Sequence, residues 1–241
     1  MKKFKLIIAI LICLSLLLSL FACSKSPGNS DAAADNAYES SDLTRKLVSL
    51  VSDSWLPEMN VTGFGAMACW GYLPKSVDEM FKDSDDVIVA KVLDEVYTHC
   101  IVPGSTDPTD RRDTTRYVEV LYSFKDFYKA GDIVPVAEFG WTMEDGRDNS
   151  LQCVPLMKPG QSVLLFANGN LDFTEYSDEE WAKCYADTYN YYMGVFHIDG
   201  EGNIVPSAKF APELGEAYIV PGSEDLKNFD DFIELAARHK S

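Results

Sequence analysis

Asp86-Val87-Ile88-Val89-Ala90-Lys91-Val92-Leu93 is the stretch that decides the fold. Its density of β-branched residues suits a pleated strand, and the run fades only by Cys100. The polar, Pro- and Gly-bearing segment from Pro103 to Thr115 follows as a loop. Arg116 to Phe124 then alternates, with Val118, Val120, Tyr122 and Phe124 on one face, as a half-buried strand does. Lys129-Ala130-Gly131-Asp132 turns the chain into a strand over Ile133–Phe139. Pro135 there lacks a backbone donor, which predicts an edge or a bulge. Lys158-Pro159-Gly160-Gln161 is a second turn, leading into Ser162-Val163-Leu164-Leu165-Phe166, apolar enough to be buried on both faces. Tyr191–Ile198 forms a further strand, and Asp199-Gly200-Glu201-Gly202 folds it back through Ile204 and Val205 as a hairpin.

Helices flank and interrupt this series. Leu47, Val48, Leu50 and Val51 share one helical face within Leu43–Trp55, which ends before Pro57. Ser76-Val77-Asp78-Glu79 and Ser177-Asp178-Glu179-Glu180 have the form of capping boxes. Near the end, Ser223 is the predicted cap of a helix that turns Phe229, Phe232, Ile233 and Ala236 inward. Arg238 and His239 suit the negative end of its dipole. The pattern as a whole is mainly β with flanking helices, a small five-stranded Greek-key barrel of the OB type plus a C-terminal helix.

The first residues set the location. Lys2, Lys3 and Lys5 precede an apolar run from Leu6 to Ala22, the layout of an export signal and short for a membrane span. The run closes on Leu20-Phe21-Ala22-Cys23, which resembles the lipobox of bacterial lipoprotein signal peptides. That resemblance implies cleavage before Cys23 and diacylglycerol on its thiol, with membrane lipid as a partner. The protein is then expected on the extracytoplasmic face of the cell membrane. A plain anchor helix and an unlipidated secretory signal are the alternatives. The expected organisation is a signal peptide over 1–22, a flexible tether over 23–42 and a helix and loop over 43–68. The barrel follows over 69–208 and a helical tail over 209–241.

Ser84-Asp85-Asp86-Val87-Ile88-Val89-Ala90-Lys91-Val92 resembles the first barrel strand of the netrin-like module of tissue inhibitors of metalloproteinases. Tyr117–Leu121 with Lys129-Ala130-Gly131 is similar to its second strand and turn. Cys153 ahead of Lys158–Phe166 is similar to its cysteine-then-strand segment. The likeness spans roughly 69 to 205 and implies an OB-type fold. It also implies a bridge from Cys69 to Cys153, which leaves Cys100 and Cys184 to each other. The inhibitory mechanism does not carry over. The family chelates zinc through the free amine and carbonyl of an N-terminal cysteine, whereas Cys69 is internal and Cys23 would be acylated.

Composition narrows the function classes. With 46% hydrophobic residues the chain can bury a core. Its net charge of −17 repels nucleic acid and anionic headgroups, so no nucleic-acid role is expected. Of six cysteines, Cys13 leaves with the signal and Cys23 takes lipid. Cys69, Cys100, Cys153 and Cys184 allow three pairings; two structural disulfides are expected in an export compartment, with free thiols the alternative.

No metal or cofactor is implied. The three histidines, His99, His197 and His239, form no ligand spacing, and no nucleophile-elbow or phosphate-loop motif occurs. Acid clusters at 83–86 and 175–180 fit no calcium loop and are assigned to solvation and capping. Trp70, Tyr72, Trp141, Tyr189, Tyr191 and Tyr192 are candidates for a face that stacks on a sugar ring or a partner's apolar anchor. The expected function is a non-enzymatic binding module for a surface protein, peptide or cell-wall glycan. A wall-active hydrolase using Asp86 or Glu138, and a small solute-binding lipoprotein, are the alternatives.

Overall fold

The computed structural model describes residues 31–58, 61–64, 74–100, 112–151, 154–169, 186–188, 194–210 and 219–239. Contacts divide the chain into a unit ending at Glu39 and a unit from Ser40 to Ser241. Of the first unit, the described part is helical backbone. The helix α1 runs Asp31–Leu50 and so begins well before Leu43, inside the stretch expected to be a tether. The alanines at 32, 33, 34 and 37 are the strongest helix formers and account for the early start.

The second unit is mainly β. Its main sheet has seven strands: β2 (Asp86–Cys100), β3 (Arg112–Ser123), β4 (Ile133–Glu138), β7 (Ser162–Gly169), β8 (Ala186–Thr188), β9 (Val195–Ile198) and β10 (Ile204–Pro206). They lie in the order β10-β9-β7-β2-β3-β4-β8. A small second sheet places β6 (Asp148–Leu151) between β1 (Val61–Phe64) and β5 (Gly140–Thr142). Among the described residues two further α-helices join the C-terminal part of α1 in this unit, α2 (Val77–Asp83) and α3 (Phe229–His239).

Alternation on the central strands builds two cores. Val87 and Val89 of β2 and Leu164 and Phe166 of β7 face Leu47, Met80, Phe232 and Leu235 of the three helices. Ile88, Ala90, Val92, Val163 and Leu165 face the other way and meet Val118, Val120, Val134, Val136 and Met157. Residues 163 to 166 are wholly buried, as the continuous apolar run predicts. On the helix side the rings of Phe166, Phe196 and Phe232 lie 5.5–6.0 Å apart, an aromatic centre that fixes α3 on the sheet.

The expected single face of the second strand is corrected by a bulge. Ala90 pairs with Val120 but Val89 pairs with Tyr122, so Leu121 is the extra residue. From there the side chains swap faces. Tyr122 and Phe124 join the helix-side core, while Val118 and Val120 stay in the inner one.

The expected five-stranded Greek-key barrel is also corrected, to a seven-stranded sheet without a closed barrel. The strand β8 pairs antiparallel with β7 over Ala167–Gly169, but it meets β4 at one residue pair, Val136↔Ala186. Among the described residues no continuous ladder closes that seam. Pro135 supplies the reason. Val120 exchanges backbone bonds with the Gly131–Asp132 turn, so even-numbered residues of β3 bond toward β4. Tyr117↔Pro135 is then a non-bonded pair, and the donor that proline lacks falls on the β8 side.

Turns behave as their residues require. Gly160 adopts φ 85° after Pro159, and Gln161 N–H bonds the Lys158 carbonyl at 3.1 Å. The hairpin β9–β10 closes on Asp199, whose carboxylate accepts from the Glu201 and Asn203 N–H groups at 2.9 Å. Ser76 caps α2, accepting from the Glu79 N–H, but Glu79 reaches back to Lys75 N–H rather than to Ser76. The cap of α3 is Asn228, not Ser223. Its Oδ1 accepts from the N–H groups of Asp230 (2.9 Å) and Asp231 (3.2 Å), while Ser223 opens a 3-10 turn.

Candidate functional site

The aromatic face expected from the sequence is represented by Trp141, and this residue is only 6% exposed, on β5. Trp70, Tyr72, Tyr189, Tyr191 and Tyr192 lie outside the described residues, as do Cys23, Cys69, Cys153, Cys184 and the helix expected after Ser177. Cys100 ends β2, with only its backbone described.

Both carboxylates suggested for hydrolysis are committed to the fold. Asp86 is fully buried at the start of β2. Its Oδ1 accepts from the N–H groups of Val87 (2.7 Å) and Lys125 (3.0 Å), and its Oδ2 from Ser123 Oγ (2.7 Å) and Tyr128 N–H (2.9 Å). Four donors around one carboxylate pin the loop that follows β3. Glu138, at the end of β4, accepts from Arg116 Nε at 3.1 Å and from Met157 N–H at 2.8 Å. Burial pushes its carboxyl above the ordinary range, against the pull of the Arg116 guanidinium and the Met157 N–H. Beside it Asp148 of β6 accepts from Lys158 Nζ, Thr142 Oγ1 (2.9 Å) and Leu156 N–H (3.1 Å). Gly140 allows the close pairing of β5 with β6: a Cβ there would lie 2.5 Å from the Asn149 carbonyl oxygen.

His197 is a second buried polar group, on β9. Its Nε2 lies 2.9 Å from Ser207 Oγ, and its Nδ1 has no partner. Burial pushes the imidazole down to about 3, so it is neutral near pH 7. Both members of this Ser–His pair are fully buried. Among the described residues no group of three or more His, Cys, Asp or Glu could hold a metal ion.

An open cleft among the described residues lies where the ends of α2 and α3 meet the loop after β3. Phe81, Lys82, Phe124, Lys125, Asp126, Ala236, Arg238 and His239 line a cleft of about 500 Å³. Asp86 places Lys125 by its backbone, and the Lys125 ammonium then reaches across to donate to the carbonyls of Phe81 (3.0 Å), Lys82 (3.4 Å) and Ser84. Those are orphan acceptors at the end of a helix, which a lysine satisfies. Burial draws the Lys125 pKa down, opposed by Asp86, Asp85 and Asp83. On the opposite wall Arg238 bonds Asp78 through Nε (3.2 Å) and Nη2 (3.3 Å), and His239 Nε2 reaches the same carboxylate at 3.0 Å. The His239 ring stacks on Phe81 at 5.1 Å.

The lining therefore holds Lys82, Lys125 and Arg238 against one acid, Asp126, in a chain whose net charge is −17. Sequence reading assigned Lys82 and Arg238 only to helix ends, because their convergence depends on three elements far apart in the chain. The available signal was a lysine beside Phe124 in a strand-end loop, answered by cations at the ends of two helices. No helix among the described residues is long and apolar enough to cross a membrane. No family model matches this chain, and neither does any curated protein or solved structure.

Proposed function

We propose that the protein is a lipid-anchored, extracytoplasmic binding module that takes its ligand in the cleft between the ends of α2 and α3. The observation that carries this reading is a cleft lined by Lys82, Lys125 and Arg238 beside Phe81 and Phe124 in a strongly acidic chain. Concave sites with apolar walls and a few convergent polar groups are where small ligands bind. A non-enzymatic role is supported by Asp86 and Glu138, whose oxygens are already occupied by the fold.

The OB-type reading of the domain belongs to the same proposal. Support comes from β7-β2-β3-β4-β8, five strands that return on themselves, since β8 touches both β4 and β7. A partly open Greek-key barrel has that character. The anchor rests on the basic start, the apolar run and Leu20–Cys23. A diacyl group there buries enough CH₂, at about 0.8 kcal/mol each, for stable attachment.

Alanine-methyl spectra of the full chain in detergent test the binding reading. A panel of small organic acids, bases and neutral compounds is expected to shift the Ala236 methyl in the cleft, with Ala90 in the inner core unmoved. A panel that leaves Ala236 unmoved contradicts it. For the anchor, Cys23→Ala is expected to abolish acyl labelling and release the protein from membranes; full retention without label would refute lipidation.

A further inference from the structure

We infer that the ligand of this cleft is a small monocarboxylate carrying an aryl or branched alkyl body; the inference rests on the binding reading above. Three observations converge on that class. The cations differ in what they have left to give. Lys125 spends all three ammonium N–H groups on three carbonyls, so it contributes field but no donor. Arg238 uses Nε and Nη2 on Asp78, which leaves the Nη1 edge of the guanidinium free in geometry to meet an anion. Lys82 is exposed and makes no ion pair among the described residues. An acid group is thus met by Lys82 and Arg238.

The walls add the second requirement. Half-buried Phe124 presents apolar surface inside the same cleft, to which the buried Phe81 and Ala236 add only a few per cent of theirs, and a small hard anion would leave that surface unused. A ligand with an apolar body covers it.

Charge count supplies the third. Asp126 lines the cleft, Asp78 lies behind Arg238 and His239, and Asp83, Asp85 and Asp86 act on Lys125. Three cations, Lys82, Lys125 and Arg238, thus stand among five acids, so the open donors of Lys82 and Arg238 act in a negative surround inside a chain of net charge −17. Each further negative charge on a ligand meets that field, so a single carboxylate is favoured over a phosphate dianion.

Calorimetric titration of the full chain in detergent tests the class with four probes: N-acetylphenylalanine, N-acetylphenylalaninamide, acetate and inorganic phosphate. The acid is expected to bind saturably, and the amide, acetate and phosphate at least tenfold more weakly. Lys82→Gln, which alters an exposed side chain, is expected to weaken the acid at least fivefold with Tm unchanged. Equal binding of acid and amide, tighter binding of phosphate, or no saturable binding of the acid would overturn the inference. If Ala236 responds to neutral or basic compounds but not to the acid, the ligand class fails while the cleft stands. If it responds to nothing, both fail.

Discussion

The junction of the two sheets and the cleft at the helix ends use charge in opposite ways. At the junction Arg116 meets Glu138 and Lys158 meets Asp148, and the two carboxylates are nearly enclosed. Each cation there has its anion, and backbone N–H groups take the remaining oxygens. In the cleft Arg238 has its anion in Asp78 and Lys125 its carbonyls, but Lys82 is open to solvent and makes no ion pair among the described residues. Complete, enclosed pairs fix the position of one sheet on another. An incomplete, accessible set is what a ligand can complete. Asp86 connects the two regimes, since a carboxylate committed to the interior positions the Lys125 that faces the cleft.

The comparison breaks most visibly at Glu138. Glu138→Ala leaves the Arg116 guanidinium buried without its carboxylate, at an expected cost of about 3–5 kcal/mol in chemical denaturation. Replacing both partners by apolar residues is expected to recover most of that loss. A single variant within the error of wild type would show that the junction is not held by this pair. Asp86→Ala comes next. It strips the acceptor from Val87, Ser123, Lys125 and Tyr128, with an expected loss of about 2–4 kcal/mol. Because the loop then loosens, affinity at the cleft is expected to drop as well; unchanged affinity would detach Asp86 from the site.

His197 is the buried group that avoids charge altogether, and pH exposes it. The folded imidazole sits at about 3 against an ordinary 6.5, so below 6.5 the unfolded chain takes up a proton that the folded one refuses. Stability is complete above that window and is expected to fall by about 1.4 kcal/mol per pH unit on the way down through it. Carboxylates add slopes of their own, so the readout is the difference from His197→Leu, which should lack this component. Parallel curves for the two proteins would contradict it.

The smallest effect belongs to Asp78, behind Arg238 and His239 of the cleft. Burial alone would raise its carboxyl, but bonds from Arg238 and His239 outweigh that and hold it below the ordinary 3.8. The tie between α2 and α3 is thus present above the carboxylate range and lost as pH falls through the depressed value. Amide exchange in the last turn of α3 is expected to quicken there ahead of α1. Uniform exchange in both helices would remove Asp78 as the clasp.

Much of the fold was legible because it is written locally. The Val87–Leu93 run, the turns at Gly131 and Gly160 and the hairpin after Ile198 follow from β-branching and from positive φ at glycine. The bulge at Leu121 was not, since alternation is read as if the strand were regular, and one inserted residue reverses every later side chain. Strands β5 and β6 are too short to carry a period, and Asn228 was passed over as a cap for a serine that starts a 3-10 turn instead. Asp86 and Glu138 could be picked out as notable acids, but their partners come from Lys125 and Met157, distant in sequence. The cleft was least legible of all. Lys82, Lys125 and Arg238 become a set only when two helix ends and a loop are brought together.

Measuring affinity and stability side by side in Lys82→Gln and Glu138→Gln tests the division between committed and open charge most directly. With N-acetylphenylalanine as probe, Lys82→Gln is expected to lose at least fivefold in affinity while its unfolding free energy stays within about 0.5 kcal/mol of wild type. Glu138→Gln is expected to lose stability by more than about 2 kcal/mol while its folded fraction binds normally. If both substitutions change affinity and stability together, or if Lys82→Gln leaves affinity untouched, the division fails.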